Sequence, residues 1–248
     1  MHYQNQPQKS DVVLGGYSPN QALVLGGIRG LREALYHTET IPQRQEILRS
    51  ALHYGREGIE IILEHLRFPD KNLRDFAYNL VSDRQESYVK EKLALFSNTG
   101  NYYLDLQKLL QAKQWRNANL STQTALKKLC HVHQQINVQN IKYLPCEDIL
   151  IIDRLWHKAS GGKFSFSAQS TIWHQCQQLR WDQNRAMAMF GDRVGWRVSN
   201  ILFNAYHWKG YDDLNFSLSA PKGHLPWING IFVVKAMHDR LLGCQKQE

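Results

Sequence analysis

No stretch of this chain holds the roughly 18 consecutive apolar residues that a membrane-spanning helix needs, so no span is read from it. Its opening, MHYQNQPQKSD, lacks the apolar core of a secretory signal and the Arg/Ser bias of a transit peptide. The expectation is a soluble protein that works in the compartment where it is made. Cysteine is scarce: Cys130, Cys146, Cys176 and Cys244 show no CxxC spacing, which favours reduced thiols over a disulfide framework. The cluster of Cys130, His131, His133 and Cys146 has a spacing found in no common zinc module, and reads as a helix end entering a polar loop. Gly26-Gly27-Ile28-Arg29-Gly30 is rich in glycine but fits neither the phosphate-loop nor the dinucleotide pattern. No nucleophile–base pair and no paired catalytic carboxylates stand out, so no enzyme and no bound metal are expected. Lys and Arg never gather into runs, and no RNA-binding motif appears, which argues against nucleic acid as a partner.

Charge and aromatics are present but unevenly spread. Residues 1–97 hold 12 Lys+Arg and 12 Asp+Glu; residues 98–248 hold 18 and 10, which is the whole net charge of +8. All seven tryptophans, Trp115 to Trp227, also lie in that second part. A basic, tryptophan-rich domain suits an anionic partner with flat apolar faces. A carboxylated macrocycle, an anionic membrane periphery and a nucleic acid all meet that description.

The apolar spacing predicts an all-α protein. Residues 1–20 are polar and expected to be loosely ordered. From 21 to 97, apolar residues keep helical periods: Ile59, Ile62, Leu63 and Leu66, then Leu73, Phe76, Ala77 and Leu80. Phe68-Pro69-Asp70 between them is a turn, and helix–Pro-Asp turn–helix resembles a HEAT-type repeat. Ser97 to Asn101 is a breaker cluster that opens a second domain, 98–248. There, Tyr103, Leu106, Leu109 and Leu110 form one stripe, and Trp115, Ala118, Thr122 and Leu126 another. Pro145 opens a helix with Glu147 and Asp148 beside its positive end. Ser160-Gly161-Gly162 stops that helix, Phe164 and Phe166 follow in an extended link, and Ser167 offers a cap for the next. Two irregular segments remain: a loop over His131–Leu144, and Ser199–Leu225, whose Phe216–Ala220 end alternates like an extended strand.

Five tracts in order carry a resemblance: WRNANLST (Trp115–Thr122), PCEDILIID (Pro145–Asp153), the hinge LWHKASGGKFSFSAQSTIW (Leu155–Trp173), FGDRVGWR (Phe190–Arg197) and NFSLSAPKGHLP (Asn215–Pro226). Over roughly residues 101–228 the chain resembles the Genomes-Uncoupled-Four family, porphyrin-binding regulators of magnesium chelatase in oxygenic phototrophs. The resemblance implies a non-catalytic monomer that binds protoporphyrin IX or its magnesium form, or a bilin. It implies the large porphyrin-binding subunit of the chelatase as partner. It also implies a plastid stroma or a cyanobacterial cytoplasm as setting, with peripheral membrane contact. The family's ligand lies in a greasy pocket between two loops, which fall here on the two irregular segments. The expected lining is Ile136, Val138 and Ile141 from the first, and Phe203, Trp208 and Leu218 from the second. Trp196 and Arg197 stand at the entry, Lys222 meets a carboxylate, and His224 is a candidate axial ligand to a metalloporphyrin. Three departures from the family pattern stand out. Asn119 replaces a usual aspartate, Ser165 interrupts Phe-Gly-Phe, and the stretch from Arg197 to Tyr211 is a few residues longer.

Overall fold

Helical spacing in the first part of the chain becomes five short helices: α1 (Gly27–His37), α2 (Ile41–Ala51), α3 (Gly55–Glu64), α4 (Lys71–Val81) and α5 (Ser87–Leu93). The computed structural model describes residues 27–178, 182–200 and 205–246, so the expectation of loose order over residues 1–20 lies outside the described residues. These helices, with residues 100–102, form one compact unit; residues 97–99 and the chain from Tyr103 onward form a second. The stripes read from the sequence are the core of the first unit. Ile59, Ile61, Ile62, Leu63 and Leu66 pack with Leu73, Ala77 and Val81, all buried. The Phe68-Pro69-Asp70 turn reverses the chain, and Asp70 caps α4 by accepting the Leu73 N–H at 2.9 Å.

The second unit holds α6 (Leu104–Gln111), α7 (Trp115–Leu129), α8 (Val138–Lys142), α9 (Cys146–Ser160), α10 (Phe166–Gln178), α11 (Gln183–Val194) and α12 (Val234–Gln245). Between α11 and α12 runs a two-stranded antiparallel ribbon, β1 (Arg197–Asn200) with β2 (Ala205–Trp208). Trp115 packs against Trp156 and, edge-on, against Phe164. The buried Trp156 indole donates to Thr122 Oγ1 at 2.9 Å, so this apolar layer leaves that N–H satisfied. The cluster read as a linker is fastened. Ser97 Oγ and Thr99 Oγ1 each donate to the carboxylate of buried Asp148 at 2.8 Å, and Tyr103 Oη donates at 2.5 Å. Burial, and then the Asp148 charge, push the Tyr103 phenol far above its ordinary pKa, so it stays a donor.

Several local expectations change. His131–Leu144 is not all loop: Asn137 and Asn140 cap α8 reciprocally, each side chain accepting the other's backbone N–H. Asparagine at both ends hides a capping box usually spelled with Ser/Thr and Glu/Gln. Ser165, not Ser167, caps α10, accepting the Ala168 N–H at 2.9 Å, and this gives the departure from Phe-Gly-Phe a use. Phe166 is already helical. Gly161, at φ +63°, ends α9 as expected. Ser199–Leu225 begins with the ribbon instead of a free loop. Phe216–Ala220 is a turn and not a strand, because Ser217 Oγ bonds Asn215 Oδ1 and Ser219 and the Ala220 N–H returns to Ser217 O. Finally, Cys146 and Cys244 form a disulfide, with Cα atoms 5.2 Å apart, and only Cys130 and Cys176 are free. Sequence separation of 98 residues hides this pair; the packing of α9 on α12 creates it. Cys146 is thereby taken out of the Cys130–Cys146 cluster.

Candidate functional site

The stretch from Gly223 to Asn229 is the platform from which the site is built. Asn119, buried on α7, grips Trp227: its Oδ1 accepts the Trp227 N–H at 2.7 Å and its Nδ2 donates to the Trp227 carbonyl at 3.0 Å. An aspartate could make only the first of these bonds. Gln123 Nε2 adds a second donor to the same carbonyl, and Gln169 Nε2 donates to both Gly223 O and Pro226 O. His224 lies fully inside. Its Nδ1 faces the Val194 carbonyl at 2.6 Å and its Nε2 accepts the Asn215 N–H at 3.0 Å. A carbonyl only accepts and a backbone N–H only donates, so the tautomer is fixed and both ring nitrogens are occupied. Burial holds this imidazole below its ordinary pKa, against the Val194 carbonyl and with help from Lys209. His224 is a structural pin, and the axial-ligand expectation is corrected.

The platform delivers the chain into α12, and beside α12 opens a groove of about 480 Å³. Val138 and Lys142 line it from α8; Phe232, Lys235, Ala236, Asp239, Arg240 and Gly243 line it from α12 and the turn before it; Gln183 of α11 completes it. The volume is that of a small-molecule site. Val138 is 41% exposed and Phe232 is 70% exposed, so the groove presents apolar side chains directly to solvent. Around them stand three cations, and one carboxylate answers them: Asp239 pairs with Lys235 at 2.6 Å. Arg240 spends its Nε on the Leu144 carbonyl at 2.8 Å, which fixes a guanidinium that has further donors. Asn229 Nδ2 likewise holds the Ile136 carbonyl at 3.0 Å. The segment before α9 is thus fastened at two points, to α12 through Arg240 and to the stretch before α12 through Asn229. An apolar floor with a cationic rim accepts a flat, apolar molecule bearing anionic groups at one edge.

The ribbon carries a second aromatic surface. Trp208 lies across α11 at Gly191, where an added Cβ would stand 2.3 Å from the indole. Glycine is what lets the ring lie that close to the helix. Arg197, cross-strand from Trp208, covers the Tyr206 ring at 3.6 Å and pairs with Asp192 at 3.0 Å. Tyr206 and Trp208 remain exposed. Gln183 and Gly191 are eight residues apart on α11, about 12 Å along its axis, so one helix borders the groove and supports Trp208.

The structure sorts the residues expected from sequence. Val138 faces the groove. Ile136 and Ile141 are buried core, and they hold the α8 segment in place from beneath. Trp196 is also core: its indole donates to His224 O at 2.8 Å and its ring meets Phe190 edge-on. Arg197 and Trp208 share the ribbon surface. Leu218 and Lys222 are exposed, and Leu218 offers its carbonyl to Lys163 Nζ at 2.6 Å. Phe203 lies outside the described residues. Sequence reasoning missed Phe232, Lys235, Arg240 and Lys142. In the run Ile231-Phe232-Val233-Val234 nothing marks Phe232 as the one ring facing outward. The i, i+4 spacing of Lys235 and Asp239, with Arg240 beside them, was the available signal.

A family model described as GUN4-like matches residues 96–242, more than half of the chain. The chain is 33% identical over 153 residues to the protein described as uncharacterized protein ycf53 of Porphyra purpurea, covering 58% of each. It is 26% identical over 170 residues to a Ycf53-like protein of Synechocystis, covering 64% of this chain and 66% of the relative. It therefore spans less than two thirds of the length of these relatives. A structure of GUN4 from Chlamydomonas reinhardtii is 26% identical, covers 58% of this chain and 93% of its own, and superposes with a TM-score of 0.46.

Proposed function

Because the chain belongs to the GUN4-like family, we propose that it binds a carboxylated tetrapyrrole, protoporphyrin IX or its magnesium form, without transforming it. We also propose that it presents this ligand to the large porphyrin-binding subunit of magnesium chelatase and stimulates that enzyme. The observation that carries the binding reading is the groove beside α12, where exposed Phe232 and Val138 sit inside a rim of Lys142, Lys235 and Arg240. All but Gly243 of its lining falls within the stretch matched to the family.

The chemistry divides cleanly. Covering ~300 Å² of macrocycle face is worth about 7 kcal/mol gross. Each solvent-exposed carboxylate–ammonium pair adds only ~0.2–1 kcal/mol. The apolar floor sets affinity and the cations set orientation. After the cost of association, binding near the micromolar range follows. The ribbon, with Trp208, Tyr206 and Arg197, is a second wall that meets the ligand edge or the partner subunit, and Leu218 and Lys222 border its exposed side. Relatives from Porphyra purpurea and Synechocystis support a plastid stromal or cyanobacterial cytoplasmic setting. Among the described residues no helix is long and apolar enough to cross a membrane.

An absorbance titration against protoporphyrin IX, its magnesium form and a linear bilin tests the reading, read alongside tryptophan quenching. Saturable one-to-one binding of the cyclic ligands, weakened by Phe232→Ala, is the expected result. Absence of any spectral shift at tens of micromolar ligand would overturn it, and preference for the bilin would redirect it.

A further inference from the structure

We infer that the Cys146–Cys244 disulfide is a redox latch on one wall of the groove, so that reducing it weakens ligand binding; the inference rests on the groove being the ligand site. Cys146 is the first residue of α9 and Cys244 lies in the last turn of α12. That last turn has little else to hold it. After Leu241, Leu242 is exposed, Gly243 has no side chain, Gln245 and Lys246 are exposed, and Cys244 is the one buried side chain among the described residues there. Gly243, next to the disulfide, lines the groove, and Arg240, one turn earlier, reaches across to Leu144, two residues before Cys146. The bond and the Arg240 contact together fix the distance between the α8–α9 segment and α12, which is the width of the groove at that end. A helix end containing glycine and lacking a buried anchor frays.

The two sulfurs are not equivalent. Cys146 is half-buried and Cys244 is buried, so an incoming thiolate reaches the Cys146 sulfur. A protein dithiol of the thioredoxin type attacks there. The Cys146–Cys244 bond breaks, and Cys244 leaves as a thiolate that takes a proton. The reductant's second thiolate then attacks the mixed disulfide and releases Cys146. Two electrons and two protons have passed to the pair, and the reductant departs as its own disulfide. Reoxidation runs the same steps backwards with a disulfide of that class as oxidant.

The full chain answers the question in three forms: oxidised, reduced with dithiothreitol, and Cys146→Ser/Cys244→Ser. Amide hydrogen exchange over residues 241–246 and protoporphyrin IX titration are read on each. Reduction and the double substitution are both expected to speed exchange of that turn about tenfold or more, leaving the middle of α9 protected. Both are expected to weaken protoporphyrin three- to tenfold, and reoxidation should restore the natural chain but not the variant. Circular dichroism checks that the variant folds; the reduced natural chain carries the test if it does not. Equal exchange in oxidised and reduced chains, or faster exchange with unchanged affinity, overturns the latch, as does mass spectrometry finding no such disulfide. Failure of the oxidised chain to bind protoporphyrin at all sinks the underlying function instead, and the exchange data then still decide whether the bond orders α12.

Discussion

Phe232→Ala separates the groove from every other surface of the molecule. The ring is 70% exposed in the free protein, so of the ~200 Å² an aromatic side chain carries, about 140 Å² is open for a ligand to cover. A planar ligand lying against one side covers near half of that, ~70 Å². At 25 cal/mol per Å² this is worth about 1.8 kcal/mol, or roughly a twentyfold change in dissociation constant. The folded state loses far less. Only the smaller part of the residue is buried in the free protein, and the cost to stability is at most about 1 kcal/mol. A porphyrin titration by Soret absorbance should therefore shift about twentyfold to weaker binding while the thermal melt moves by only a few degrees. An affinity within twofold of the natural chain would refute the assignment of the groove, since no other described residue puts so much apolar area into it.

The remaining predictions use the same logic elsewhere. Trp208→Ala on the ribbon should cost roughly 1–3 kcal/mol of binding, and Lys222→Ala less than about 1 kcal/mol as a screened surface charge; the opposite order in parallel titrations would place the ligand on the Lys222 side. Asn119→Ala leaves the Trp227 N–H without its acceptor, and should destabilise the second unit by about 1–3 kcal/mol in urea, Gln123 still serving the carbonyl. His224 and His238 both have folded pKa values below the ordinary one, mainly from burial; for His238, Asp239 opposes and His174 and Lys235 reinforce the shift. The unfolded chain then binds more protons as pH falls. Their contribution is complete above about pH 6.5 and is lost below it. The urea midpoint of the second unit should fall between pH 7.5 and 5.5, and a flat midpoint across that range would contradict both shifts.

Much of the architecture could be read from spacing alone. The stripes at Ile59–Leu66 and Leu73–Leu80, the Trp115–Leu126 stripe and the glycine stop after Ser160 all appear as expected, because each is a local pattern with a local cause. Reading failed where the cause was distant or unusual. The disulfide joins residues that only helix packing brings near. The cap of α8 uses asparagine on both sides. The serines between Asn215 and Ala220 form a turn through side-chain bonds that an alternating pattern cannot reveal. For the site, the residues expected from the family resemblance are of two kinds. Ile136, Ile141, Trp196 and His224 are buried inside, Arg197 is half-buried, and Val138, Trp208, Leu218 and Lys222 reach solvent. An apolar residue in a loop has the same letter whether it faces in or out. Phe232 was invisible for the same reason, hidden in a run of four apolar residues of which it alone faces outward.

The carboxylate of Asp148, buried under three hydroxyls, decides where this protein can be divided. A cut anywhere between Ser97 and Tyr103 looks harmless, since the segment is polar and full of turn-forming residues. Two of the three hydroxyls that solvate Asp148 belong to Ser97 and Thr99, upstream of the first helix of the second unit. A fragment starting at residue 98 drops one of them, and one starting at 100 drops both and leaves the buried anion less well solvated, though Tyr103 still donates to it. The natural edge of the second unit thus lies before Ser97, within a peptide that sequence composition marks as expendable. Anyone excising this half for expression, or grafting it onto another scaffold, should carry those three residues along as part of its interior.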